Sequence, residues 1–122
     1  MQRDMDLIRQ IMLQVEQIKD EMNIGTKFRL EGYDHILVAK HIELLDEAGL
    51  LKAHFTRTDT GGVVDAYVER LTWSGHEFLD AARNETVWKK TKATVKEKVG
   101  TVSFEVLKTL LINISKSLLD LS

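Results

Sequence analysis

The chain has 122 residues, of which 43% are hydrophobic and 30% are charged, and its formal net charge is -2. These values are typical of one globular domain with a modest core, and they exclude a disordered chain. The absence of cysteine excludes disulfides, thiolate metal ligands and cysteine nucleophiles, and the absence of proline means that nothing forces a break inside a helix.

Neither end of the chain indicates secretion or a membrane span. Asp4 and Asp6 lie where a secretory signal needs a basic start followed by an apolar run. The most apolar stretch, residues 104–121, is interrupted by charges such as Lys108 and Lys116. It therefore falls short of the roughly 18 uninterrupted apolar residues that a span needs. We expect a cytoplasmic protein with no transmembrane segment.

The front of the chain predicts two helices joined by a short extended segment. Residues 4–22 predict a first helix, because apolar residues recur there every three or four positions. The alternation of residues 27–30 indicates a short strand. A second helix is predicted to begin at Asp34, whose carboxylate can accept from the free amides of the first turn. It should end at Gly49, which can adopt the left-handed conformation of a helix terminus.

A hairpin follows the second helix. Residues 51–58 and 63–71 are rich in β-branched and aromatic side chains, and the Asp-Thr-Gly-Gly sequence at 59–62 has the chemistry of a tight turn. Which face of residues 67–70 is buried stays open, because either alternation contains a charge.

Three more helices are predicted after the hairpin. The first begins after Thr72 or Ser74, either of which can cap it. Its apolar side chains are expected to pack against the hairpin and the first helix: Trp73, Phe78, Leu79 and Ala82. Residues 84–99 predict a helix with five lysines: Lys89, Lys90, Lys92, Lys96 and Lys98. Ser103 can cap a last helix over about residues 104–119.

The charge of the chain changes sign near residue 84. Residues 1–84 hold ten Lys and Arg against fifteen Asp and Glu, whereas residues 85–122 hold seven against four. We therefore expect a domain over residues 1–84 and a C-terminal helical extension over residues 85–122 that could serve oligomerisation.

The order of helix, short strand, helix, hairpin and helix is that of a winged helix. The predicted fold class is therefore α+β and mainly helical, a winged helix-turn-helix over residues 1–84 with two appended C-terminal helices.

Three segments of the sequence also carry a family resemblance. They are Arg-Asp-Met-Asp-Leu-Ile-Arg at 3–9, Glu-Leu-Leu-Asp-Glu-Ala-Gly-Leu at 43–50, and Leu-Thr-Trp-Ser-Gly-His-Glu-Phe-Leu-Asp-Ala-Ala-Arg at 71–83, which Thr-Val-Trp follows at 86–88. Together they resemble domain-of-unknown-function family 2513, a family of small bacterial and phage-borne proteins, over nearly the whole chain. The resemblance implies a winged-helix-like fold and a bacterial or prophage setting, and it supplies no catalytic motif.

A winged helix predicts a surface for DNA. The recognition helix enters the major groove, and the hairpin touches the backbone or the minor groove. The candidates for DNA contact are three residues of the second helix and two of the hairpin: His35, Lys40, His41, Lys52 and Arg57. Five carboxylates on the same elements would repel phosphates: Glu43, Asp46, Glu47, Asp59 and Asp65. The helix also has no arginine, the commonest reader of guanine. The alternative is a solvated polar face.

The last helix predicts a contact surface of another kind. Its apolar side chains repeat at three-four spacing: Phe104, Leu107, Leu111, Ile114, Leu118 and Leu121. Such a seam can form a dimer of the coiled-coil type, or it can pack on the chain's own core, and a membrane surface is a minor option. The lysines of residues 84–99 could follow a phosphate backbone or an anionic membrane, or they could form a solvated face.

The sequence predicts no enzyme, no metal site and no cofactor. No two of the four histidines, His35, His41, His54 and His76, have the four-residue spacing of a zinc site on a helix. There is no nucleophile elbow and no glycine-rich phosphate loop. We therefore expect a small DNA-binding or transcription-associated protein of bacterial or phage origin, acting as a dimer. The alternative is a protein-interaction or oligomeric adaptor module on the same scaffold that does not bind DNA.

Overall fold

The computed structural model describes residues 1–18, 27–98 and 103–120 of the chain. Within these ranges the protein has five helices and a two-stranded antiparallel sheet, so the prediction of a mainly helical α+β fold is confirmed. The elements in chain order are α1 (Met5–Glu16), α2 (His35–Glu47), β1 (Leu51–Arg57), β2 (Val63–Leu71), α3 (Trp73–Ala82), α4 (Glu85–Lys98) and α5 (Phe104–Asp120).

The ends of α2 have the predicted caps. The Asp34 carboxylate accepts from the Leu37 amide at 3.1 Å, which satisfies one of the free donors of the first turn. Gly49 follows the helix with a φ of 78°, and this left-handed conformation lets the chain turn directly into β1.

The first turn of α3 contacts the end of α2. Of the two predicted caps, Thr72 is the one used, because its hydroxyl accepts from the Gly75 amide at 3.1 Å. The Thr72 amide donates to the Leu50 carbonyl at 3.0 Å. Gly75 lies so close to this carbonyl that a Cβ at its position would collide with the Leu50 oxygen. A glycine is therefore required where α3 starts against the chain leaving α2.

The chain forms two compact units, Met1–His76 and Glu77–Ser122, and the division falls inside α3. In the first unit, α1 and α2 pack on each other, and both contact the hairpin. The core consists of side chains that these elements bury almost completely: Leu7, Ile11, Met12, Val38, Ile42, Leu45, Leu51, Val68 and Leu71. Each large apolar side chain buried in this way contributes about 1.5–3 kcal/mol, so the hairpin is held by α1 and α2 rather than by strand pairing alone.

The register of the hairpin explains why neither simple alternation describes its buried face. Lys52 pairs with Arg70, but the next residue of β1, Ala53, pairs with Val68, so Glu69 is an extra residue in β2. This bulge leaves both Glu69 and Arg70 exposed, while Val68 is buried in the core. No single alternation could have described both sides of the bulge.

Three details of the first unit differ from the sequence predictions or extend beyond the described residues. Trp73 was expected in the core, but it is 80% exposed at the start of α3. Residues 27–30 form no strand, although the Phe28 amide donates to the Ala66 carbonyl at 2.8 Å and thereby joins this segment to β2. The first helix is described as far as Glu16, and the predicted extension over residues 19–22 lies outside the described residues.

In the second unit α4 packs against α5. Asn84 caps α4 by accepting from the Val87 amide at 3.0 Å, and the Ser103 hydroxyl accepts from the Val106 amide at 3.3 Å at the start of α5, as predicted. Within the described ranges, no helix is long and apolar enough to cross a membrane.

Candidate functional site

One line of residues on α2 points away from the core. Ile36, Lys40, Glu43 and Glu47 follow the three- and four-residue spacing of one helix face, opposite the buried Val38, and we call these four residues the α2 outer face. Lys40 and Glu47 are exposed, Glu43 is half-buried, and Ile36 is 36% exposed. This face therefore offers one apolar side chain, one cation and two carboxylates.

The guanidinium of Arg57 is held against this face. Its Nη2 lies 2.8 Å from the Glu43 carboxylate, and its Nη1 donates to the Gly61 carbonyl at 3.0 Å. The guanidinium carbon also lies 5.6 Å from the centre of the Phe55 ring, within the range of a cation–π contact. Arg57, a predicted DNA contact, thus already has an acidic partner, a carbonyl and an aromatic ring within the chain.

His41 does not lie on the candidate DNA surface, because its side chain is completely buried. Its Nε2 accepts from the Asp4 backbone amide at 2.9 Å, and its Nδ1 donates to the Leu37 carbonyl at 2.9 Å. Both ring nitrogens are therefore satisfied by backbone groups in one neutral tautomer. The prediction of a DNA contact is wrong for this residue, whose role is to attach the start of α1 to α2.

The other three predicted DNA contacts are exposed, but they do not form one cluster on the same element. His35 lies at the first position of α2, and Lys40 lies on the α2 outer face. Lys52 lies on β1, where its cross-strand partner is Arg70. Of the five predicted contacts, one is thus buried, one is held by Glu43, and three are divided between α2 and the hairpin.

Lys27, Arg29 and Asp65 form a charged cluster beside the hairpin that the sequence did not predict. Arg29 donates to the Asp65 carboxylate at 2.7 Å, and Lys27 lies 3.4 Å from the other oxygen of the same carboxylate. The hydrogen bond from Arg29 lowers the pKa of Asp65 from its ordinary value. The alternation of residues 27–30 indicates that Lys27 and Arg29 share one face. No local feature of the sequence indicates that their partner is Asp65, 36 positions after Arg29.

A second pair lies across the hairpin. The His54 Nε2 and the Glu69 carboxylate are 2.6 Å apart, and this hydrogen bond lowers the pKa of Glu69. Lys52 and Arg70 lower it further by electrostatic attraction. Glu69 is thus the exposed carboxylate around which three basic side chains of the hairpin gather.

The apolar seam of α5 is partly covered within the chain itself. Leu107 and Leu111 are buried and Ile114 is half-buried, and α5 packs against α4. In the described part of the seam, Leu107 and Leu111 are thus buried within the second unit, where they offer no free surface to another chain. The dimer stays a prediction. The side chains of Phe104 and Leu118, and the whole of Leu121, lie outside the described residues.

The lysines of α4 form an exposed basic patch in the second unit. Lys89, Lys90 and Lys96 are exposed and Lys92 is half-buried, while the side chain of Lys98 lies outside the described residues. Lys89 lies 3.6 Å from Glu85, one turn earlier, as expected of a solvated helix face. In the part of the chain that the structure describes, no group of His, Asp and Glu side chains could hold a metal ion.

The chain is similar to one protein family and to one bacterial protein. The model of a family described as hypothetical protein (DUF2513) matches residues 2–101. A protein of Haemophilus influenzae that is named only as uncharacterized is 35% identical over 109 residues, which are 88% of this chain and 90% of that protein. No solved structure matches the chain. The similarity covers α1 to α4 and therefore includes α2 and the hairpin.

Proposed function

The chain belongs to the DUF2513 family, and from the geometry of α2 we propose that it is a protein-interaction module on a winged-helix scaffold, whose α2 outer face binds a partner protein rather than duplex DNA. The order of α1, extended segment, α2, hairpin and α3 supports this scaffold. In this assignment α2 is the recognition helix and the turn at residues 58–62 is the tip of the wing. Between α1 and α2, no further helix lies in residues 17–18 or 27–34, whereas a complete helix-turn-helix would have one.

The charge of the α2 outer face carries the proposal. A helix that enters the major groove needs donors and cations near its outward side, because phosphate neutralisation supplies most of the affinity. On α2, two of the four outward positions are occupied by Glu43 and Glu47, and Lys40 is the one basic residue of the α2 outer face. The hairpin cation Arg57 is paired with Glu43, so a phosphate would have to compete for it with a carboxylate already 2.8 Å away.

The same face has the composition of a protein contact. Ile36 is exposed on it, and Tyr33, just before the helix, is 38% exposed. Tyr33 and Ile36 lie at the N-terminal end of α2 and Glu47 at its C-terminal end. A surface with this composition is complementary to a partner segment that combines apolar side chains with Lys or Arg. We therefore assign to the α2 outer face a protein partner with a basic and apolar segment. A bacterial or phage origin and a cytoplasmic location are part of this proposal, and the relative from Haemophilus influenzae supports the bacterial setting.

DNA binding is the second candidate, because three of its predicted contacts are exposed. His35 and Lys40 lie on the N-terminal half of α2, the part of a recognition helix that contacts base edges. Lys52 could contact a phosphate from the hairpin. This candidate requires that Lys40→Glu abolish binding and that affinity fall steeply with salt.

Site-specific photo-crosslinking in cells of the source organism tests the proposal. A photoreactive amino acid replaces Ile36 in one variant and Lys90 of α4 in a matched control, since both side chains are exposed but lie in different units. We expect one protein to be crosslinked from position 36 and not from position 90. Adding Glu43→Lys and Glu47→Lys should remove that crosslink, because the partner's basic side chains would then be repelled.

Two results would contradict the proposal. One is a crosslink from position 36 to DNA. The other is a protein crosslink from position 36 that the two charge reversals leave unchanged, since the carboxylates would then have no part in recognition.

A further inference from the structure

The hairpin has an exposed face on the side opposite the core. The register places three cross-strand pairs on it: Lys52 with Arg70, His54 with Tyr67, and Thr56 with Asp65. Residues that are direct partners share a face, and residues between them on β2, such as Ala66 and Val68, are buried in the core. We call the exposed side the outer sheet face, and we count Lys27 and Arg29 as its margin, because both contact Asp65.

Basic side chains occupy both ends of this face. At one end Lys52 lies directly opposite Arg70, and like charges in direct cross-strand positions destabilise a sheet. At the other end Lys27 and Arg29 flank Asp65, whose side chain is only 12% exposed beneath them. Asp65 is therefore shared by two cations, each about half exposed to solvent. Unlike the one-to-one pair of Arg57 and Glu43, this group of two cations and one carboxylate keeps a net positive charge for a phosphate.

Two aromatic rings lie between the basic ends. His54, whose side chain is 70% exposed, is the cross-strand partner of the half-buried Tyr67. Partner side chains on a sheet have their Cβ atoms about 5 Å apart, so the two rings can form one platform. From Lys52 to Thr56 the strand extends for about 13 Å, which matches about four nucleotides at the rise of a stacked strand.

From this arrangement we infer that the outer sheet face binds single-stranded nucleic acid, with bases stacked on Tyr67 and His54 and phosphates contacted by the cations at its two ends. Aromatic side chains on an open sheet, between basic groups that follow the backbone, are the combination that single strands need. Duplex DNA is a poor fit, because its bases are stacked on each other and their faces are not available to Tyr67 and His54. An acidic peptide would use the cations but not the aromatic pair.

The exposed carboxylate of Glu69 limits the affinity of the outer sheet face for phosphates. Glu69 is held by His54 at 2.6 Å and lies near Lys52 and Arg70, so it reduces the positive charge available to a phosphate. The inference goes beyond the proposed function and is independent of it, because the α2 outer face and the outer sheet face share no residue.

Fluorescence anisotropy with the full chain tests the inference. The probes are labelled oligothymidylate and oligouridylate of about twelve nucleotides, and a duplex of the same length, at about 50 mM and about 200 mM salt. We expect both single strands to bind more tightly than the duplex. Tyr67→Leu should weaken binding about tenfold, whereas Tyr67→Phe should retain it, because phenylalanine keeps the stacking surface.

Charge variants identify the face. Lys52→Gln and Arg70→Gln should each weaken binding and reduce the salt slope by about 0.7, the value for one phosphate contact on a single strand. Glu69→Gln should tighten binding. Lys89→Gln, which removes an exposed lysine of α4, is the matched control and should have no effect.

A readout that does not depend on substitution is the perturbation of backbone amide resonances by oligothymidylate, which should be concentrated in β1 and β2. The inference is overturned if the duplex binds as tightly as the single strands, if Lys89→Gln weakens binding as much as Lys52→Gln, or if neither single strand binds at the lower salt. Equal binding of both single strands supports a general site, and preference for oligouridylate supports an RNA site.

Discussion

The guanidinium of Arg57, at the end of β1, lies 2.8 Å from the carboxylate of Glu43 in the middle of α2. This contact joins the two elements that a winged helix would present to DNA, and it pairs a hairpin cation with a carboxylate of α2. It also identifies Glu43 as the residue that decides whether Arg57 is available to an anion.

The energy of this ion pair should be small, because both side chains are partly exposed. We expect a double-mutant cycle of Arg57→Gln and Glu43→Gln to give a coupling free energy below about 1 kcal/mol, measured by urea unfolding at low salt. The coupling should decrease further as salt is added. A coupling of several kcal/mol that salt does not change would show that the pair is a structural requirement of the hairpin.

His41 should contribute much more to stability than His35. His41→Ala removes a buried ring and leaves the Asp4 amide without its acceptor, so we expect a loss of about 2–4 kcal/mol in the free energy of unfolding. His35→Ala is the matched control at an exposed position of the same helix, and it should change stability by less than about 0.5 kcal/mol. Equal effects of the two substitutions would contradict the burial of His41.

The contribution of Asp65 should depend on pH. The hydrogen bond from Arg29 lowers the pKa of Asp65 in the folded protein, so the carboxylate stabilises the fold at pH values above its ordinary pKa of 3.8. That contribution is lost as the pH falls below 3.8 and through the lowered value. We expect Asp65→Asn to cost about 1 kcal/mol at neutral pH, since Arg29 is half exposed, and the cost to shrink in acid.

The control for this pH dependence is Asp59→Asn, at an exposed position of the hairpin turn. It should change stability by less than about 0.5 kcal/mol at neutral pH. A cost of Asp65→Asn that stays constant from neutral pH into acid would mean that the charge of Asp65 contributes nothing.

The seam of α5 should behave as part of a core rather than as an interface. Leu111→Ala creates a cavity beside α4. We therefore expect the melting temperature to fall by an amount that corresponds to a loss of about 2–3 kcal/mol in the free energy of unfolding. Ile112→Ala, at a 37% exposed position, should cost less than about 1 kcal/mol. Neither melting temperature should change between about 5 µM and about 100 µM protein. A melting temperature that rises with concentration would support the dimer that the spacing of the seam predicts.

The sequence predicted most of the elements because their signals are local. Asp34, Gly49 and Thr72 each act within a few residues of their own positions, and the turn at 59–62 needs only its own glycines. The features that the sequence did not reveal depend on contacts between distant residues. Arg29 and Asp65 are 36 positions apart, and His41 finds its second partner in the Asp4 amide, 37 positions away.

The predictions for His41 and Trp73, and the open question about the hairpin, have simple physical explanations. Polarity placed His41 on the candidate DNA surface, whereas its position beside Ile42 and Leu45 on the helix turns it inward. Trp73 was expected in the core because it is large and apolar, but it occupies the exposed first position of α3, and the buried side chains Phe78 and Leu79 follow in the second turn. The bulge at Glu69 had no local sign, because neither glycine nor proline marks it.

The proposed function requires that α2 does not read duplex DNA. It is tested most directly by capturing sheared DNA of the source genome with the purified chain, at low and at near-physiological salt, and sequencing what is retained. We expect no locus to be enriched at near-physiological salt, and Lys40→Glu to leave the captured fraction unchanged. Enrichment of one locus that survives the higher salt and disappears in Lys40→Glu would contradict the claim and establish the chain as a sequence-specific DNA-binding protein.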